Sequence, residues 1–252
     1  MKSLNLLTKK DVENIKLIVL DVDGVLVPRG TKIRQAGNKT SFVVKKIAQK
    51  QILQIKKLHE TGFKVNINSG RGLYFLQLMF SEILPFVSLT YENGSATWFK
   101  GKVYQHINSF NKLKKIYSEL KKVKHRDIKG FEPKEFIITL HCKKRVAEIE
   151  KIVGKYRNLY GIWNGDAYDI GIKKVQTKAL GLRRLIKLLG IRKNNVLALG
   201  DNFNDREMLE EAGISISADK SRLKGDFCVP LNGKFLPADL VMQKIIQLKT
   251  KI

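Results

Sequence analysis

The chain has 252 residues, with 48 Lys or Arg against 23 Asp or Glu for a net charge of +25. That length supports one sizeable core, or a core with a smaller inserted domain, and 43% hydrophobic with 28% charged residues is the balance of a soluble globular protein. The most apolar stretch, residues 73–89, is broken by Gln77, Ser81, Glu82 and Pro85 and falls short of a membrane span, and Leu4-Asn5-Leu6-Leu7 is too short for a secretory signal, so a cytoplasmic protein is expected.

Along the chain, Lys16–Leu20 reads as a strand, and Ser41–Glu60 places Val44, Ile47, Ile52, Ile55 and Leu58 at helical spacing before the stop Thr61-Gly62. Phe63–Asn68 is the next strand, followed by Ser69-Gly70-Arg71, a helical stretch to about Leu84, and a strand at Phe86–Tyr91 ending on Glu92-Asn93-Gly94. From Ser95 the pattern changes. Hairpin strands flank Lys100-Gly101, then come a basic helix at Ser109–Lys122, a strand at Glu135–His141, a helix at Arg145–Tyr156 and paired strands around Gly161–Ile172. After Thr177 the first pattern returns, with a helix over 177–189, strands at Asn195–Leu199, Ile214–Ser217 and Phe227–Pro230, a helix to about Ala212, and a closing helix at Ala238–Lys249. Strands alternating with helices predict an α/β fold, a Rossmann-like parallel sheet formed by residues 1–94 and 173–252. Residues 95–172 read as an α+β domain inserted into it.

Three unusual loops fall at the carboxyl ends of predicted strands, where open α/β sheets place their sites. Asp21-Val22-Asp23-Gly24-Val25 follows the apolar run Ile18-Val19-Leu20, so two carboxylates leave a buried strand on the same side. Crowded carboxylates need a cation, a proton or a strong hydrogen-bond network to compensate them, and the cheapest is a hard divalent metal such as Mg²⁺, which suits oxygen ligands. Ser69, with the amides of Gly70 and Arg71, stands where a helix begins and offers unpaired N–H groups to an anion. Asp201 and Asp205, across a tight loop, can complete the metal's oxygen shell.

Together, Asp21-Val22-Asp23-Gly24-Val25, Ser69, Lys178 at a helix start and Gly200-Asp201-Asn202-Phe203-Asn204-Asp205 resemble, in order and spacing, the four motifs of the haloacid dehalogenase superfamily. The insertion resembles the α/β cap of its sugar-phosphatase-like branch, which includes archaeal-type phosphoglycolate phosphatases, sucrose and trehalose phosphate phosphatases and phosphomannomutases. The resemblance implies a Mg²⁺-dependent phosphatase acting on a small phosphate monoester, a phosphosugar or phospho-acid, through an aspartyl-phosphate. Asp21 would be the nucleophile and Asp23 the general acid and base; Ser69, Gly70, Arg71, Lys178 and Asn204 would hold the phosphoryl group. Asp21, Asp23, Asp201 and Asp205 would form the metal site, with Asp23 contributing its backbone carbonyl. Val25 stands where threonine is common, Ala179 where glycine is usual, and Lys173 and Lys174 are alternatives to Lys178. The connection Val27–Thr40, longer than usual, carries Arg29, Lys32, Arg34 and Lys39 toward the entrance.

The remaining signals have plainer readings. His59, His106, His125 and His141 show no mutual ligand spacing, and Trp98, Tyr104, Trp163 and Tyr168 suit a cap core. Cys142 and Cys228 have no second pair at metal spacing, which argues against a disulfide framework or zinc site. Residues 101–200 hold 24 basic and 8 acidic side chains, whereas 201–252 balance at 8 and 8, so the charge excess is regional. A solvated basic face is the default, and a nucleic-acid partner is an alternative, as is a phosphomutase on the same scaffold.

Overall fold

A computed structural model describes residues 1–30, 32–36, 39–229, 233 and 235–250. The chain begins with β1 (Lys2–Ser3), α1 (Lys9–Val12) and β2 (Leu17–Leu20). All four residues of β2 are buried, as in a strand covered on both faces. Val27–Thr40, expected as a loop, carries a hairpin of β3 (Lys32–Ala36) and β4 (Lys39–Val43), with Lys32 opposite Val43 and Ala36 opposite Lys39; Thr31, Gly37 and Asn38 lie outside the described residues. The helix expected from Ser41 therefore starts later, as α2 (Gln49–Glu60). Phe42 packs edge-on against Phe75 at 4.8 Å, which holds the segment extended, and Gln51 Oε1 accepts from Ala48 N at 3.2 Å to start the helix.

Next come β5 (Lys64–Asn68) and α3 (Leu73–Met79), which gives way to a 3-10 turn over Ser81–Phe86 containing Pro85. They are followed by β6 (Val87–Tyr91), β7 (Ala96–Phe99) and β8 (Lys102–Gln105). The latter two were expected to open the inserted module. Instead they pair antiparallel onto β6 and extend the main sheet. The turn Glu92-Asn93-Gly94 allows this because all three residues adopt positive φ.

The chain then runs through α4 (Phe110–Lys121), β9 (Ile128–Glu132), β10 (Ile138–Cys142), α5 (Ala147–Gly154), β11 (Leu159–Trp163) and β12 (Ala167–Ile172). The sequence reading missed β9, whose five residues include Lys129 and Gly130 and carry no alternating apolar pattern. It also began β10 too early: the amides of Glu135, Phe136 and Ile137 donate to the buried Glu92 carboxylate rather than to a strand. The chain closes with α6 (Lys178–Leu189), β13 (Val196–Gly200), α7 (Arg206–Glu210), β14 (Ile214–Ser217), β15 (Phe227–Cys228) and α8 (Pro237–Thr250). Pro230, placed in the last strand from sequence, lies outside the described residues.

The main sheet has the order β1-β15-β14-β13-β2-β5-β6-β7-β8, parallel from β1 to β6. Side chains of β2 alternate between two layers. Ile18 and Leu20 join the core shared with α2 and α8, while Leu17 and Val19 meet Leu182, Leu185, Met208 and Leu209 of α6 and α7. A second sheet, β11-β12-β10-β9, is antiparallel. Its Ile138, Leu140, Cys142, Tyr168, Ile170 and Ile172 pack against α4 and α5. The residues between them, Thr139, His141, Ala167 and Asp169, face the cleft at the end of the main sheet. The exposed lysines of α4 thus lie on the far side of this sheet from the cleft. Among the described residues no helix is long and apolar enough to cross a membrane.

Candidate active site

Strand register places the cleft. Leu20 of β2 sits beside Leu199 of β13 and Ile67 of β5. The residues that follow, Asp21, Asp201 and Ser69, consequently emerge side by side at the carboxyl edge. Asp21 continues the Leu17/Val19 face toward α6, where Thr177 Oγ1 caps the helix and Lys178 is its first residue. Lys178 Nζ donates to Asp21 Oδ1 at 2.6 Å and to Asp205 Oδ1 at 2.5 Å, with all three side chains buried. Asp205 Oδ2 in turn accepts from the amides of Asp201 and Asn202, which shapes the loop after β13. Lys173 and Lys174 are exposed, and Lys173 donates to the Arg157 carbonyl. Lys178 is the lysine that reaches the cluster.

Asp23 points elsewhere. Arg71 holds it in a two-point ion pair, Nε to Oδ2 at 2.8 Å and Nη2 to Oδ1 at 2.7 Å, a geometry that fixes a carboxylate's plane. The chain turns directly after Asp23, where Gly24 adopts φ +86, and a Cβ at that glycine would collide with the Asp201 carboxylate. Ser69 is buried beside them, its Oγ accepting from the Arg71 amide at 3.2 Å. Gly70 and Asn204 also line the cleft, and Asn204 Oδ1 is buried without a hydrogen-bond partner among the described residues.

The acidic groups divide as the chemistry of a cation site requires. Asp21, Asp201 and Asp205 offer oxygens within 4.8 Å of one another, whereas the Asp23 side chain is not in this group. Burial and the Asp205 charge push Asp21 well above the usual carboxylate range, and burial and Asp205 push Asp201 up to about 6. Burial opposes the charge of Lys178, yet Asp205 and Asp21 outweigh it and hold the ammonium protonated. Three buried carboxylates against one lysine, with Arg29 reaching Asp201 at 2.6 Å from the rim, leave the cluster short of positive charge. An all-oxygen donor set of this kind fits a hard divalent cation.

The cap side of the cleft was not legible as a site. Glu132, Lys134, Thr139, His141, Asp166 and Asp169 line it. Lys134 Nζ donates to the Gly70 carbonyl at 2.6 Å and pairs with Glu132 at 3.1 Å, and His141 Nε2 lies 2.9 Å from the same carboxylate. The signal available was Ile138-Thr139-Leu140-His141-Cys142, where polar residues alternate with apolar ones although every position is buried. Burial alone would raise Glu132, but Lys134 and His141 hold it down to about 2. Its ionised form therefore stabilises the fold above the ordinary 4.5, and this stability is lost as pH falls from there toward about 2. Urea unfolding should show the native protein losing roughly 2 kcal/mol more than Glu132→Gln between pH 6 and pH 3. Parallel loss in both proteins would contradict the pairing.

A model of the haloacid dehalogenase-like hydrolase family matches residues 131–222. The chain is 28% identical over 203 residues to Phosphoglycolate phosphatase 1 of Saccharolobus solfataricus, covering 81% of this chain and 82% of that protein. It is 26% identical over 249 residues to 5-amino-6-(5-phospho-D-ribitylamino)uracil phosphatase YbjI of Escherichia coli, covering 82% and 86%. Its fold matches the HAD subclass IIB sugar phosphatase BT4131 with a TM-score of 0.66 at 17% identity, over 91% of this chain and 98% of that one. With these likenesses, and with a lysine-bridged acidic cluster at the edge of a parallel sheet beside a second, antiparallel sheet, the chain is similar to the haloacid dehalogenase-like hydrolases.

Proposed function

We propose that this hydrolase is a Mg²⁺-dependent phosphatase that cleaves a small phosphate monoester through an aspartyl-phosphate on Asp21, with the β9–β12 layer acting as its cap. The bridge from Lys178 Nζ to Asp21 and Asp205, with Asp201 in the same cluster, carries this reading. Asp21, Asp201 and Asp205, with the Asp23 carbonyl, would hold Mg²⁺, which when bound supplies the positive charge that lets a phosphate dianion approach carboxylates. A free oxygen of Asp21 attacks phosphorus as the bond from phosphorus to the leaving oxygen breaks. Asp23 gives its proton to that oxygen, then takes one from the water that attacks the aspartyl-phosphate, which frees Asp21. Arg71 pairs with both Asp23 oxygens and favours the carboxylate, so one oxygen leaves that pair before Asp23 carries a proton. Ser69 Oγ, the Gly70 amide, Asn204 and the Lys178 ammonium hold the phosphoryl oxygens, already fixed by their surroundings before reaction.

The test is phosphate release from p-nitrophenyl phosphate by the purified protein. Turnover with magnesium that stops in EDTA supports the reading; equal rates in both, or none in either, would overturn it. The turn at Gly24 has its own consequence. Gly24→Ala must displace the Asp201 carboxylate and strain a positive φ, so kcat should fall on the order of 100-fold. A variant with kcat near that of the native enzyme would show that Asp201 need not stand where the structure puts it.

A further inference from the structure

The basic stretch that forms α4 and the turn after it has no part in the cleft. Residues 110–126 hold seven Lys or Arg against a single acid, Glu119, and all seven cations are exposed. Glu119 accepts from Tyr156 Oη at 2.5 Å and lies 3.9 Å from Lys155 Nζ, so it is taken up by residues that follow α5. Leu113, Ile116 and Leu120 are buried against the antiparallel sheet. Beside that stripe, Phe110, Lys114, Tyr117 and Lys121 recur at the spacing that puts them on one flank of the helix. Phe110 is 64% exposed and Tyr117 37%, so this flank shows two aromatic rings to solvent instead of burying them. Lys121 Nζ lies 5.2 Å from the centre of the Tyr117 ring. Phe110, Lys114 and Tyr117 border a groove that Leu113, Pro133 and Phe136 also line. Of the two acids in that groove, Glu132 is buried and paired with Lys134, while Glu135 is exposed.

Rings in a groove, with lysines on its rim and over the outward face of the helix, match a thin polyanion that carries planar groups. We propose that this flank of α4 binds single-stranded nucleic acid, with bases stacked on Phe110 and Tyr117 and phosphates following the lysines of the helix. Glu135 repels phosphate from the opposite rim and so favours the path along α4. A duplex keeps its bases stacked inside and would leave both rings without a partner. A flat anionic membrane would meet Lys115, Ser118 and Lys122, which helical geometry places opposite the buried stripe, and would leave the groove empty. An acidic peptide matches the charge but brings no row of planar groups for the rings.

Fluorescence anisotropy of a labelled oligothymidylate without a terminal phosphate, titrated with the full-length protein in EDTA at several salt concentrations, tests this. The strand should bind, and log Kd should rise with log salt with a slope of roughly 3, as for about four phosphates at about 0.7 each. Lys114→Gln with Lys121→Gln should lower that slope by about 1.4. Phe110→Ala should weaken oligothymidylate about tenfold and leave an abasic strand of the same length unaffected. Both variants change exposed side chains, so they test the surface and not the fold. No binding at low salt, equal affinity for the abasic strand, a duplex or polyglutamate, or a salt slope that the lysine variant leaves unchanged would overturn the proposal. A protein without phosphatase activity would still give each of these binding results, so the two readings fail separately.

Discussion

Asp21→Asn should abolish turnover, by on the order of 10⁴-fold or more, while leaving the protein as stable as before or more so. The two halves of this expectation share one cause. Burial and the neighbouring Asp205 carboxylate disfavour charge on Asp21, so a neutral isostere relieves that penalty while removing the nucleophilic oxygen. Lys178 keeps Asp205 as a partner, so no buried ammonium is stranded. Phosphate release and thermal unfolding in EDTA measure both halves. A variant that retains turnover would eliminate Asp21 as the nucleophile, and one that unfolds well below the native protein would show that the carboxylate is structural.

Lys178→Met should have the opposite signature, losing activity and stability together. The lysine is almost fully buried and bridges two carboxylates, and a methionine of similar volume fills its space without its charge. Breaking a buried ion pair by removing one partner costs about 3–5 kcal/mol, because the remaining charge is left uncompensated. Here two carboxylates are left, so the larger figure is expected in EDTA, with a smaller loss in magnesium, where a cation takes over part of the neutralisation. Urea unfolding in the two buffers reads the difference. Equal stability of variant and native protein in EDTA would mean that the acidic cluster does not depend on this lysine.

Much of the candidate site's sheet edge was legible because it is local. Asp21, Ser69 and Asp201 each follow directly on a buried strand, and Lys178 opens a helix capped by Thr177, so turn chemistry and burial pattern mark them in the sequence. What failed was non-local. Nothing in Ala96–Gln105 distinguishes a hairpin that extends the main sheet from one that begins an inserted domain; the difference lies in pairing with β6. Val44 and Ile47 sit at helical spacing upstream of α2 by coincidence, while the preceding Ser41–Val43 is held in a hairpin by partners around residue 35. The spacing from Asp21 marks Asp23, but not the ion pair that orients its side chain, whose partner Arg71 lies 48 residues on. The cap wall was hidden for the same reason, since Thr139, His141 and Asp169 acquire meaning only when β10 and β12 pair and turn one face to the cleft.

The central claim is that Asp21, Asp201 and Asp205 gather around one divalent cation. Calorimetric titration of the metal-free protein with magnesium tests it most directly. One ion should bind per chain, binding should be lost in Asp205→Asn, and it should persist in Arg71→Lys, which alters the neighbouring ion pair of Asp23. No magnesium binding by the native protein, or binding that survives Asp205→Asn unchanged, would contradict the account.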